Sequence, residues 1–124
     1  MIPALPLSVR ALSALLLCAA ALLAVPAQAA SKKVTQLWNL TGETLNQVEL
    51  APAGTTSWGK NQCANDKDGE VDFDEKLPIT GISAGTYDVR VRDVHGKTCV
   101  ARGIDVKDGA TFVVHEKDLT ACSP

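Results

Sequence analysis

Two-residue alternation organises most of the chain. From Thr86 to Asp93 it places Tyr87, Val89 and Val91 on one side and Asp88, Arg90 and Arg92 on the other, the signature of a strand with one buried face. Val94-His95-Gly96-Lys97 then supplies a turn, and Thr98 to Val106 reads as the partner strand of a hairpin. After a second turn at Lys107-Asp108-Gly109, Ala110 to His115 extends this pair into a three-stranded meander. Upstream, Val34 to Leu40 and Leu45 to Leu50 read as another hairpin, joined through Thr41-Gly42-Glu43-Thr44. A further strand falls between Glu70 and Ile82, poorly bounded because Pro78 lacks a ladder donor and Gly81 adds slack. No amphipathic helix intervenes. Six or seven short strands imply an all-β fold, a small antiparallel β-sandwich of immunoglobulin-like or prealbumin-like type, whose two sheets bury their apolar faces against each other. Trp38 and Trp58 are expected to fill that core, given the area an indole buries.

The first residues follow a different logic. One positive charge, Arg10, precedes an apolar run from Ala11 to Val25, then Pro26 and the small-x-small triplet Ala27-Gln28-Ala29. That order specifies an export signal, and the run of 15 residues is shorter than the roughly 20 that a spanning helix needs. Leu17 is too large to precede a lipid-modified cysteine at Cys18. Residues 1–29 are therefore expected to be a signal peptide and 30–124 a β-sandwich domain, working in the periplasm or outside the cell with no membrane span after cleavage. The remaining 95 residues suffice for one small domain. Loss of Arg10 leaves that domain with a net charge of −3, which argues against a general nucleic-acid binder.

Export sets the redox environment. Cys63, Cys99 and Cys122 remain, enough for one disulfide and one leftover thiol, with three pairings open. Cys99 with Cys122 is favoured because the two short strands expected between them would return the chain to its start.

Two resemblances follow from these segments. Asn39-Leu40-Thr41-Gly42, Ala51-Pro52-Ala53-Gly54, Trp58-Gly59, Tyr87-Asp88-Val89-Arg90-Val91 and Arg102-Gly103-Ile104-Asp105-Val106 together resemble a group of small exported bacterial β-sandwich proteins of uncharacterised role. That resemblance implies a compact sandwich and carries over no catalytic site. Asp66-Lys67-Asp68-Gly69-Glu70-Val71-Asp72-Phe73 and Ile82-Ser83-Ala84-Gly85-Thr86-Tyr87 are similar to the turn and strand starts of carboxypeptidase regulatory-like and prealbumin-type modules, which implies adhesion or scaffolding.

The sharpest local chemistry is acidic. Six carboxylates fall between Asp66 and Glu75 against one lysine, Lys67. With Gly69 as the turn glycine, Asp66, Asp68, Asp72 and Glu75 match late positions of a calcium loop, although Ala64 occupies the first ligand position and no helix flanks the stretch. A solvated Asp-Gly turn is the plainer reading, and a weak calcium site at residues 66–75 the functional one. His95 and His115 come with no evident nucleophile and carboxylate, so catalysis is not expected. Asn39-Leu40-Thr41 also matches a glycosylation acceptor, read as accidental in a bacterial chain. Arg90, Arg92 and Arg102 form a candidate contact face whose plain reading is cross-strand charge pairing. The resulting expectation is a non-enzymatic exported binding or accessory protein with an envelope or extracellular protein partner, the alternative being a calcium-binding module.

Overall fold

A computed structural model of the chain describes residues 3–4 and 32–124. The leader, Cys18 and the cleavage point after Ala29 lie outside the described residues. Seven strands form two sheets: β1 (Gln36–Leu40), β2 (Leu45–Pro52), β3 (Lys76–Pro78), β4 (Gly85–Asp93), β5 (Thr98–Val106), β6 (Thr111–His115) and β7 (Leu119–Ser123). One sheet has the order β3-β1-β6 and the other β2-β4-β5-β7. The fold is thus the expected β-sandwich, with a single parallel pairing, β1 with β6, among the described strands. Among these residues no helix is long and apolar enough to cross a membrane.

β4 and β5 pair as their alternation requires. Val91 faces Cys99 and Arg92 faces Thr98 across the hairpin, while Val89 and Val91 enter the core and Tyr87 packs against it. Gly96 closes the turn at φ 87°, in the left-handed region that glycine enters at little cost. Asp93 Oδ1 accepts hydrogen bonds from the backbone N–H groups of His95 and Lys97 at 2.9 and 3.0 Å.

The two other predicted pairings are not formed. β1 and β2 do not make a hairpin but lie in opposite sheets, and the Thr41–Thr44 connection crosses from one to the other. Leu45 exchanges both its backbone hydrogen bonds with Val71 at 2.9 Å, leaving no donor or acceptor for Leu40. Likewise β6 does not extend the β4–β5 meander. After the turn at Lys107–Gly109 the chain passes to the other sheet, where Gly109 N–H donates to Thr35 Oγ1 and Gln36 N–H to the Ala110 carbonyl. A side chain at Gly109 would meet the Lys33 carbonyl at 3.1 Å, so the crossing requires glycine there. β7 takes the place beside β5, and the disulfide Cys99–Cys122 joins those two strands.

The core is aliphatic. Leu37, Leu45, Val48, Leu50, Val71, Leu77, Val89, Val91, Val106 and Val114, with Phe112, fill the space between the sheets. One polar side chain lies fully buried at their margin. Asn39 donates through Nδ2 to the carbonyls of Glu43, Val71 and Asp72 at 2.8, 3.1 and 3.1 Å, and its Oδ1 accepts from Thr41 N–H and Oγ1–H at 3.1 and 2.7 Å. The glycosylation-like triplet is therefore an internal clip, inaccessible in the folded chain.

Asn39→Leu keeps the volume and leaves these buried groups unpaired, each at about 1–3 kcal/mol. We expect a loss of about 3 kcal/mol or more in urea unfolding; an Asn39→Leu chain as stable as wild type would remove the clip from the argument.

Candidate functional site

The outer face of the four-stranded sheet carries the predicted arginine surface, but its members are not equivalent. The register sets Glu49 opposite Arg90, and the Arg90 guanidinium pairs with the Glu49 carboxylate while stacking 4.4 Å from the centre of the Trp58 ring. Gln47 donates to the same carboxylate, so Glu49 is buried beneath its partners. Arg102 lies 3.5 Å from Asp88, a carboxylate only 3% exposed. Arg92 is exposed and forms no ion pair among the described residues. Two of the three arginines thus compensate buried acids, and Arg92 alone presents its charge outward.

Asp88 is a positioning group. Its Oδ2 accepts from Gly54 N–H at 3.0 Å and its Oδ1 from Gly103 N–H at 3.1 Å, tying the β2–β4 end and the β5 irregularity to one carboxylate. The Gly54 hydrogen bond, then the Gly103 one, hold the carboxyl below the usual aspartate range, with the Arg102 charge assisting and burial opposing.

The acidic stretch does not converge. Asp66 Oδ1 accepts from Asp68 N–H at 2.8 Å, Asp72 Oδ1 from Thr44 Oγ1–H at 3.0 Å, and Glu75 Oε2 from Asp72 N–H at 2.8 Å. Asp68 is exposed. Val71, fully buried and bridged to Leu45, divides the stretch into residues 66–70 and 72–75, so the continuous wrap of a calcium loop is not made. Among the described residues no group of three or more His, Cys, Asp or Glu side chains is arranged to hold a metal ion. The histidines are dispersed too. His95 Nε2 lies 3.2 Å from Glu43 Oε2 on the surface, and the His115 backbone N–H donates to Asp118 Oδ2 at 2.9 Å.

Cys63 is the leftover thiol. It is fully buried, with Sγ 3.6 Å from the Leu45 carbonyl, and burial, aided by the charges of Asp66 and Glu70, pushes its pKa up to about 12. A thiol held so far above neutral pH is a poor nucleophile.

The tryptophans reverse expectation. Neither belongs to the core: Trp58 covers Arg90 on one outer face, and Trp38 lies half-buried on the outer face of the three-stranded sheet. β1 can bury Leu37 and Asn39 or Gln36, Trp38 and Leu40, and the Asn39 clip selects the first set. Trp38 is then fixed outside by its Nε1–H bond to Asp74 Oδ1 at 2.9 Å and by Lys76, 5.4 Å from the ring centre. Leu40 and Val113 flank it as half-buried neighbours, and Phe73, beside Asp74, is 56% exposed. In the sequence only the polar character of Asn39 beside two apolar candidates hinted at this outward stripe.

Compared with protein-family models, curated proteins and solved structures, the chain matches none.

Two outcomes test this geometry. In native protein at pH 8 Cys63 should resist thiol reagents for as long as the fold persists and react promptly in denaturant, as peptide mass spectrometry would show. Because the folded pKa of Asp88 is depressed, its contribution is complete above the unfolded value of about 4 and fades as pH falls through the folded one. Asp88→Asn should therefore cost about 1–3 kcal/mol at neutral pH, and the gap from wild type should narrow below about pH 4. A gap that stays constant down to about pH 2 would contradict the assignment.

Proposed function

We propose that the chain is an exported, non-enzymatic binding or accessory domain of the bacterial envelope or extracellular space, docking a folded protein partner through the three-stranded sheet. One observation carries the reading: Trp38 is placed outside and immobilised there, although a small sandwich gains more by burying its largest ring. An indole already held by Asp74 and Lys76 loses little side-chain freedom when a partner covers it, and such anchored tryptophans often dominate binding energy. Leu40, Val113 and the exposed Phe73 extend the apolar centre, while Lys76, Asp74 and His115 supply a polar margin. The opposite face lacks this character, since Arg90 and Trp58 there satisfy each other over a buried acid. Export supports an envelope or extracellular partner through the leader pattern of Arg10, Ala11 to Val25 and Ala27-Gln28-Ala29. The calcium alternative draws no support from residues 66–75, whose carboxylates serve separate local bonds.

Site-directed crosslinking from the sheet margin, followed by affinity measurement with the captured protein, tests the proposal. Trp38→Ala should keep the circular dichroism and melting temperature of wild type and weaken binding by about thirtyfold, the cost of a strong anchor, whereas Trp58→Ala should change affinity little. A folded Trp38→Ala protein that binds the crosslinked partner as wild type does would end this reading.

A further inference from the structure

We propose that the cavity at the end of the sandwich between the β1–β2 crossover and the β4–β5 turn is a binding site for one primary alkylammonium group. The cavity measures about 120 Å³ and is floored by Leu45, Val91 and Leu119 beside the Cys99 sulfur. That approaches the volume of engineered apolar cavities, about 150 Å³, that accept one small organic molecule. Glu43, Asp93 and Glu116 line it as carboxylates, with Lys97 as the one cation in the lining. An apolar floor under an acidic rim matches a short methylene stem ending in an ammonium.

Asp93 specifies the charge. It is only 5% exposed, and both hydrogen bonds its carboxylate accepts, from His95 and Lys97 N–H, end on Oδ1. Oδ2 accepts none among the described residues. No sealed side-chain polar atom lacks a partner among these residues, so Oδ2 reaches accessible space, and the cavity is the space that Asp93 lines. A carboxylate oxygen in that position takes a charge-assisted hydrogen bond from an ammonium and repels an anion. The rim adds to the preference. Glu116 Oε2 stands over Gly42, 3.8 Å from where a Cβ would be, and Glu43 is already neutralised in part by His95. Lys97 makes no ion pair among the described residues, so its own ammonium does not occupy the carboxylates. These residues are separate from the Trp38 face, and failure of that docking reading leaves the cavity site standing.

The test is a titration of isotope-labelled protein followed by NMR, with n-butylammonium chloride as probe and n-butanol and sodium butyrate as controls at equal ionic strength. Saturable shifts at the Leu45, Val91 and Leu119 methyls are expected with the ammonium, with binding about tenfold weaker or absent for the alcohol and the carboxylate. Asp93→Asn retains an oxygen for the His95 and Lys97 amides and should weaken the ammonium by about tenfold. Should that variant fail to fold, the exposed Glu116→Gln provides the second reading, with a loss of a few fold. Nα-acetyl-lysine amide separates the sources: tighter binding than butylammonium assigns a lysine side chain, equal binding a free amine. Shifts that do not saturate, equal response to alcohol and ammonium, or a folded variant at Asp93 or Glu116 that binds as wild type would each overturn the proposal.

Discussion

A buried amide determines how this chain is divided between two sheets. Asn39 sits at the end of β1 with no exposure to solvent, and its side chain meets carbonyls from the crossover (Glu43) and from the distant acidic stretch (Val71 and Asp72). Its oxygen meanwhile holds Thr41 through both backbone and hydroxyl. An asparagine buried with all its capacity used is selective, because almost any other arrangement of the local chain would strand several polar groups away from water. The effect is to stop β1 and β2 from closing into a hairpin and to send β2 across the core. Val71 is drawn in by the same cluster and completes the exchange with Leu45. Selection of the Leu37/Asn39 face also turns Trp38 outward, so the feature on which a binding role rests follows from a packing decision one residue away.

The edges of the sandwich obey a related constraint. β2 borders its sheet, and its free backbone groups would form a template for another strand. The segment after it folds back to meet them: Gly59 N–H donates to the Leu50 carbonyl, and the Asn61 side chain accepts from Val48 N–H while donating to the Asn46 carbonyl. Trp58 continues this cover over Arg90. The pairs Trp58-Gly59 and Asn39-Leu40-Thr41 therefore close polar edges, and neither has the exposure that a catalytic or modified residue would need. At the other end of the same sheet, β7 is attached to β5 through the Cys99–Cys122 disulfide, which compensates for a strand whose residues are mostly exposed.

Legibility in the sequence tracked how local the physics was. The β4–β5 hairpin was readable because Tyr87, Val89 and Val91 alternate cleanly and Gly96 marks the turn. Pairing of Cys99 with Cys122 was readable from the chain's expected return, although β6 makes an excursion to the other sheet before β7 comes back. The partners of β1 and β6 were not readable, since short connections imply hairpins and the overriding contacts, Leu45 with Val71 and Gln36 with Ala110, join residues far apart in the chain. β1 misled through its own composition. Trp38 and Leu40 look like the buried face to any rule that counts apolar side chains, and the structure buries Leu37 and Asn39 instead. Position counting in the acidic stretch failed for a similar reason, as it takes no account of Val71 leaving the loop for the core. The arginine face was half readable: its charges are where alternation puts them, but the buried acids beneath Arg90 and Arg102 depend on cross-strand register.

The chain's acidity has a structural origin that bears on how a partner would see it. A sandwich with seven strands and no long helix must satisfy many turn amides without a helical ladder, and here carboxylates perform that task repeatedly. Asp66, Glu75, Asp88, Asp93 and Asp118 each accept from backbone N–H groups in or beside a connection. Asp72 and Asp74 tie connections to Thr44 and Trp38 by side-chain bonds. A carboxylate committed to backbone amides projects a weaker field than its formal charge indicates, because the amide dipoles oppose it. The net negative charge is therefore a poor guide to the charge of whatever the domain meets. What a partner encounters is set by the few groups left over from folding: the indole of Trp38, the free guanidinium of Arg92, and the second oxygen of Asp93 at the mouth of the cavity.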